Sequence, residues 1–156
     1  MSTYQDVAAF LFQEARLLDQ RRWHDWLDLF APDGMYWAPL SREQPDPVNH
    51  VSLFYEDALL RAVRADRLEQ KRAWSQQPVT QAARIVGNIM LLPEQDGDIV
   101  AASTFHMLEW HRQEQRMLGG LYTHRLRRGA EGLRIVLKRI DLINREAVQE
   151  TLETFL

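Results

Sequence analysis

The chain reads as an α+β protein, a strongly curved and mostly antiparallel sheet covered by N-terminal helices. Four runs in its second half, residues 85–92, 99–110, 115–127 and 133–143, alternate or nearly alternate apolar and polar side chains. That period of two marks half-buried strands. Short polar connections separate them, Gln95-Asp96-Gly97-Asp98, His111-Arg112-Gln113-Glu114 and Gly129-Ala130-Glu131-Gly132, so consecutive strands pair as an antiparallel meander. Ahead of the meander the apolar residues recur at helical spacing instead.

Two of the runs reach about twelve residues or more, against roughly five or six for a typical strand, so the sheet twists and curls. Gly119-Gly120 lies inside the third run, where paired glycines mark a bulge or a bend. The concave face of such a sheet needs a cover, and the helices supply it.

Ser2 or Thr3 caps the first helix, with Gln5 or Asp6 three residues on, and Tyr4, Val7, Leu11, Ala15 and Leu18 share one face. Asp19-Gln20-Arg21-Arg22 interrupts the pattern. Trp23, Trp26, Leu27 and Phe30 then form an aromatic stripe on a short second helix, which Pro32-Asp33-Gly34 ends in a turn. Met35-Tyr36-Trp37-Ala38 reads as a strand stopped by Pro39, and the polar stretch 40–51, with Pro45 and Pro47, as a surface excursion. Phe54-Tyr55-Glu56 is a brief strand before a third helix over about residues 57–74. The expected apolar side of that helix is Leu60, Val63 and Leu68. Its other side carries Arg61, Arg64, Arg67, Lys71 and Arg72 among Asp66 and Glu69, a solvated face or a docking surface for an acidic partner.

At 156 residues and 46% apolar content the chain is large enough for one domain, residues 1–156. A net charge of −3 argues against nucleic-acid binding, which demands a clustered basic surface. The absence of cysteine removes disulfides, thiolate zinc sites and cysteine-ligated iron–sulfur clusters. The first residues lack a basic region followed by an apolar core, and no apolar run approaches the roughly twenty residues that span a bilayer. A cytoplasmic protein without membrane partners is the expectation.

The histidines are His24, His50, His106, His111 and His124. None stands at helical metal-ligand spacing from another, and no H-E-x-x-H motif, P-loop, G-x-S-x-G or G-x-G-x-x-G occurs. His24 lies beside two tryptophans, His111 in a turn, and His124 among Arg125, Arg127 and Arg128, which reads as a basic edge. His106 falls mid-strand, sharing one face with Thr104 and Leu108 while Phe105 and Met107 take the other. Pointing inward, it would form an acid–base pair with Asp57, Tyr36 or Tyr55 on an apolar wall; otherwise it is a packed or interface histidine.

Glu14-Ala15-Arg16-Leu17-Leu18-Asp19 is followed by Arg22-Trp23-His24-Asp25-Trp26-Leu27, then by Met35-Tyr36-Trp37-Ala38-Pro39 and by Tyr55-Glu56-Asp57 before Leu59-Leu60. Arg84-Ile85-Val86-Gly87-Asn88, Ala102-Ser103-Thr104-Phe105, residues 119–128, Leu133-Arg134-Ile135 and Lys138-Arg139 come after. In this order and spacing the segments resemble the small (β) subunit of the aromatic-ring-hydroxylating dioxygenases, a family within the cone-shaped NTF2-like, or SnoaL-like, superfamily. The chain departs from that pattern at Thr80-Gln81-Ala82-Ala83, at Thr104 and at Asp141.

The resemblance implies a homotrimer of β chains within an α3β3 hexamer, whose catalytic α subunit carries a Rieske [2Fe-2S] cluster and a mononuclear Fe(II) and takes electrons from NADH through a reductase. It implies no catalytic, cofactor-binding or metal-binding residue in this chain. The composition agrees, since a Rieske centre takes two cysteines and two histidines. The opening motifs lean toward the benzoate and anthranilate branch, so a benzoate 1,2-dioxygenase-like oxidation of an aromatic acid to a cis-dihydrodiol is the expected reaction of the complex. The alternatives are a stand-alone isomerase, dehydratase or cyclase with a pocket around His106, Asp57, Tyr36 and Tyr55, or a module that binds a small ligand there without chemistry.

Overall fold

A computed structural model of the chain describes residues 2–74, 79–144 and 154–156, without the side chains at 72–74. Ser2 opens α1 (Thr3–Asp19) as a capping box: its hydroxyl accepts the Gln5 N–H at 3.3 Å and Gln5 Oε1 accepts the Ser2 N–H at 2.9 Å. The buried stripe of α1 begins at Val7 and runs through Phe10, Leu11, Leu17 and Leu18, while Tyr4 stays exposed. After α2 (Trp23–Leu27), Phe30 begins β1 (Phe30–Pro39) rather than continuing the helix. Pro32-Asp33-Gly34, expected as a turn, lies inside β1 where its register against the last strand shifts between Phe30 and Met35. A Cβ on Gly34 would stand 2.5 Å from the Ile135 carbonyl oxygen, so only glycine lets the two strands approach there.

Residues 40–51 cross the surface as turns to the edge strand β2 (Ser52–Glu56). Arg139 anchors this excursion, donating to the carbonyls of Gln44 at 2.9 Å and Arg42 at 3.0 Å. α3 (Ala58–Trp74) corrects the expected phase of the third helix. Its buried positions are Arg61 and Ala65, with Leu68 packed against the core, while Leu60 and Val63 face solvent. The reason is local: Arg61 Nη1 donates to the carbonyls of Gly34 at 2.7 Å and Glu56 at 2.9 Å, and its guanidinium lies 3.9 Å above the Phe30 ring. Arg64 turns the same way and pairs with Glu56 at 2.9 Å. With these two cations turned inward, the expected basic face keeps Arg67 and Lys71 exposed, and the side chain of Arg72 lies outside the described residues.

The meander is β3 (Gln81–Gln95), β4 (Asp98–His111), β5 (Glu114–Gly129) and β6 (Gly132–Leu142). The strand order is β2-β1-β6-β5-β4-β3, with β1 parallel to β6 and every other pairing antiparallel. Positive φ at Asp96 (51°) and Gly97 (81°), and again at Arg112 (51°) and Gln113 (65°), gives both hairpins the primed turns that match strand twist. Gly119-Gly120 does not form the expected bulge, since the β4–β5 register runs through it unbroken. Gly120 is required for proximity instead, because a Cβ there would lie 2.2 Å from the Asp141 carbonyl oxygen. One apolar cluster fills the space between the concave face and the helices, and Phe155 and Leu156 belong to it. The arrangement is the helix-covered NTF2-like cone that the resemblance implied.

Candidate functional site

The apolar stripe of α1 carries one charge, Glu14, seven residues after Val7 and facing the sheet. Across from it, alternation on β5 and β6 turns Tyr122, His124 and Lys138 inward, and His124 and Lys138 are register partners. Trp26 Nε1 and Lys138 Nζ donate to one Glu14 oxygen at 2.8 Å and 2.9 Å, and His124 Nε2 lies 2.8 Å from the other. Glu14, His124 and Lys138 are at most 2% exposed, so three ionisable groups share one dry centre.

Burial by itself raises the Glu14 carboxyl, but the Lys138 ammonium and His124 outweigh it and hold Glu14 far below the carboxylate range. Burial pulls the Lys138 ammonium down to about 8, with Glu14 working against the shift. Tyr36 and Tyr122 are pushed well above the ordinary phenol range by burial. Both Glu14 oxygens are occupied, and the space bounded by Leu11, Glu14, Arg84, Tyr122 and His124 has no room for a water-sized sphere. A carboxylate so enclosed fastens helix to sheet.

Residues 154–156 close the centre from the other side and are at most 2% exposed. Thr154 Oγ1 donates to Glu109 Oε1 at 3.3 Å. The Phe155 carbonyl accepts from Arg84 Nη2 at 2.7 Å, the Leu156 main-chain oxygen from Lys138 Nζ at 2.6 Å, and the Leu156 N–H donates to Tyr36 Oη at 2.7 Å. Arg84 is held in turn by Asp19 at 2.6 Å. The Phe155 ring packs 4.4 Å from Trp26, 5.5 Å from Trp23 and 5.9 Å from Tyr36.

The candidates of the alternative reading do not converge. Phe105 and Met107 take the inward face of β4, which leaves His106 exposed outside the cone. Asp57 is exposed and caps α3, its carboxylate accepting the Leu60 N–H at 3.0 Å. Tyr55 lies outside at 41% exposure, and only Tyr36 is buried in the interior. His124, expected on a basic edge, is instead the interior histidine, because Arg125 and Arg127 have the opposite phase on β5. His111 is partly buried, its Nδ1 3.0 Å from Thr80 Oγ1, and His24 faces Asp66 at 3.4 Å and Glu69 at 3.3 Å. Glu14, Arg84 and Lys138 were not singled out from the sequence. Among the described residues no three His, Asp or Glu side chains gather to hold a metal, and no helix is long and apolar enough to cross a membrane.

The helix-covered cone, its interior filled in part by Phe155 and Leu156 and its buried charges paired, has the NTF2-like fold. Residues 13–149 match the family model described as "Ring hydroxylating beta subunit", and the chain belongs to that family. It is 31% identical over 148 residues to the 2-halobenzoate 1,2-dioxygenase small subunit of Burkholderia cepacia, covering 92% of this chain and 90% of that one. It is 34% identical over 142 residues to the small oxygenase component of the p-cumate 2,3-dioxygenase system of Pseudomonas putida, covering 90% and 79%. The crystal structure of the benzoate 1,2-dioxygenase beta subunit from Burkholderia mallei superposes with a TM-score of 0.84 at 22% identity, covering 99% and 100%.

Proposed function

We propose that this chain is the structural, non-catalytic β subunit of a cytoplasmic, multicomponent dioxygenase that oxidises an aromatic acid to a cis-dihydrodiol. The observation that carries the reading is the family match over residues 13–149. The relatives named for 2-halobenzoate, p-cumate and benzoate all belong to systems acting on aromatic acids, which supports that substrate class. The enclosed polar centre supports a scaffolding role, since Glu14 and Lys138 spend their hydrogen bonds on the chain itself. In this reading the catalytic α subunit holds the Rieske [2Fe-2S] cluster and the mononuclear Fe(II), NADH supplies electrons through a reductase, and one domain of this chain trimerises within α3β3.

Co-expression with the Rieske-type chain encoded nearest to it tests the assignment. The expected result is co-purification at the mass of an α3β3 hexamer, with aromatic-acid oxidation only when the α chain, reductase and NADH are all present. An isolated chain that turns over an aromatic acid, or one that never associates with the α chain, would overturn the proposal.

A further inference from the structure

Residues 154–156 occupy the interior as a bound molecule would. The Phe155 ring sits among Trp23, Trp26 and Tyr36, and the carbonyl attached to the same residue receives a hydrogen bond from Arg84 at 2.7 Å. That guanidinium is used incompletely. Its Nη1 pairs with Asp19 and its Nη2 serves the Phe155 carbonyl and reaches Met107 Sδ at 3.3 Å, but the buried Nε–H finds no acceptor among the described residues. Nε and Nη2 form one edge of the guanidinium fork, which fits the two oxygens of a carboxylate, whereas the Phe155 carbonyl here engages only Nη2. Beside it Lys138 Nζ holds a second main-chain oxygen at 2.6 Å, and Tyr122 Oη and His124 Nδ1 are also buried without partners among the described residues. An unsatisfied buried donor costs free energy that a better-matched occupant recovers.

We infer that the cone interior is a binding site for a small aromatic carboxylate, with the ring in the Trp23–Trp26–Tyr36 cage and the carboxylate on the Arg84 fork, and that residues 154–156 compete for it as a built-in mimic. This goes beyond the assembly role proposed above and does not depend on it. The natural probe is 3-phenylpropanoate, which reproduces the Phe155 ring, Cβ, Cα and carbonyl carbon with a carboxylate in place of the amide.

In a full-length Phe155→Ala chain, 3-phenylpropanoate should raise the melting temperature saturably, and by more than in the unaltered chain. The uncharged 3-phenylpropanol should bind roughly tenfold more weakly, the cost of the charge-assisted bonds. Arg84→Lys in the same background should remove most of that acid preference. If Phe155→Ala does not fold, Phe155→Leu and the unaltered chain carry the test: millimolar 3-phenylpropanoate should speed hydrogen exchange at the Leu156 amide, which Tyr36 otherwise protects. Folded variants with no saturable response, equal binding of acid and alcohol, or an unaltered chain whose Leu156 exchange ignores the acid would each overturn the inference.

Discussion

The two faces of the same strands reverse the usual segregation of charge and hydrocarbon. Inside the cone lie Glu14, Arg84, His124 and Lys138, all at least nine-tenths buried, whereas outside the same sheet Ile85 is 76% exposed, Met117 53% and Trp110 48%. α3 repeats the inversion, with Arg61 buried and Leu59, Leu60 and Val63 in solvent. The difference lies in partners. Arg84 and Lys138 each have an anion and a main-chain oxygen within the chain, so the burial of their charge is compensated, the Arg84 Nε–H apart. The exposed apolar side chains have no such counterpart among the described residues, and a contiguous apolar surface of this kind marks an interaction site. The inner face is filled by this chain; the outer one stays bare among the described residues.

The comparison breaks first at the polar centre. Lys138→Met leaves the Glu14 carboxylate buried without its cation and is expected to cost about 3–5 kcal/mol, whereas replacing both members of a buried pair is often close to neutral. Urea unfolding of Lys138→Met and of the double variant Glu14→Leu with Lys138→Met should therefore place the double variant well above the single one. Equal losses would mean that the pair holds nothing beyond its own packing. A smaller contrast follows on α3. Arg61→Met strands the carbonyls of Gly34 and Glu56 and should cost about 1–3 kcal/mol, while Leu60→Ala, on the exposed side, should stay within about 0.5 kcal/mol.

The pH dependence separates the two partners by sign. The folded Glu14 carboxyl lies below its ordinary value of 4.5, so its stabilisation is fully present above pH 4.5 and is lost as pH falls below it. Relative to Glu14→Gln, the unaltered chain should lose stability more steeply on acidification. The folded Lys138 lies at about 8 against 10.5 when unfolded. Between those values the unfolded state binds more protons, so stability rises with pH and the cost of the buried ammonium is relieved. The unaltered chain should thus gain on Lys138→Met across that window, measured as the difference in unfolding free energy; a flat difference would place Lys138 in water.

Much of this architecture was legible in residue order. The alternation of residues 99–110 and 115–127 and the Asp96-Gly97 turn give the meander, and Ser2 with Gln5 gives the start of α1. The parallel pairing of β1 with β6 was not legible, because it joins segments about a hundred residues apart through backbone geometry that depends on Gly34. The polar centre left signals that were passed over. Glu14 falls on the helical stripe of Val7 and Leu18, and His124 is in phase with Tyr122 and Leu126, so the arginines of the opposite phase disguised it. The phase of α3 is hidden for a different reason: hydrophobicity alone assigns Leu60 and Val63 inward, but the carbonyls of Gly34 and Glu56 take their donor from Arg61.

The outer face offers the finest test, because its substitutions should leave the folded chain almost untouched. Across β4 and β5, Leu108 pairs in register with Met117, and His106 with Gly119, beside which Ile143 stands. Ile85→Ser and Met117→Ser remove mainly exposed hydrocarbon, the side chains being 76% and 53% exposed, so each should change the unfolding free energy of the isolated chain by no more than about 0.5 kcal/mol. Under the assignment proposed above, the same substitutions should reduce assembly, seen as loss of the hexamer mass when the catalytic chain is co-expressed. A variant that keeps full assembly would show that partners dock elsewhere; one that loses stability as an isolated chain would show that this face packs against its own chain. Under that assignment the inversion of inside and outside serves two ends, since paired charges hold helix to sheet while unburied hydrocarbon is left for association.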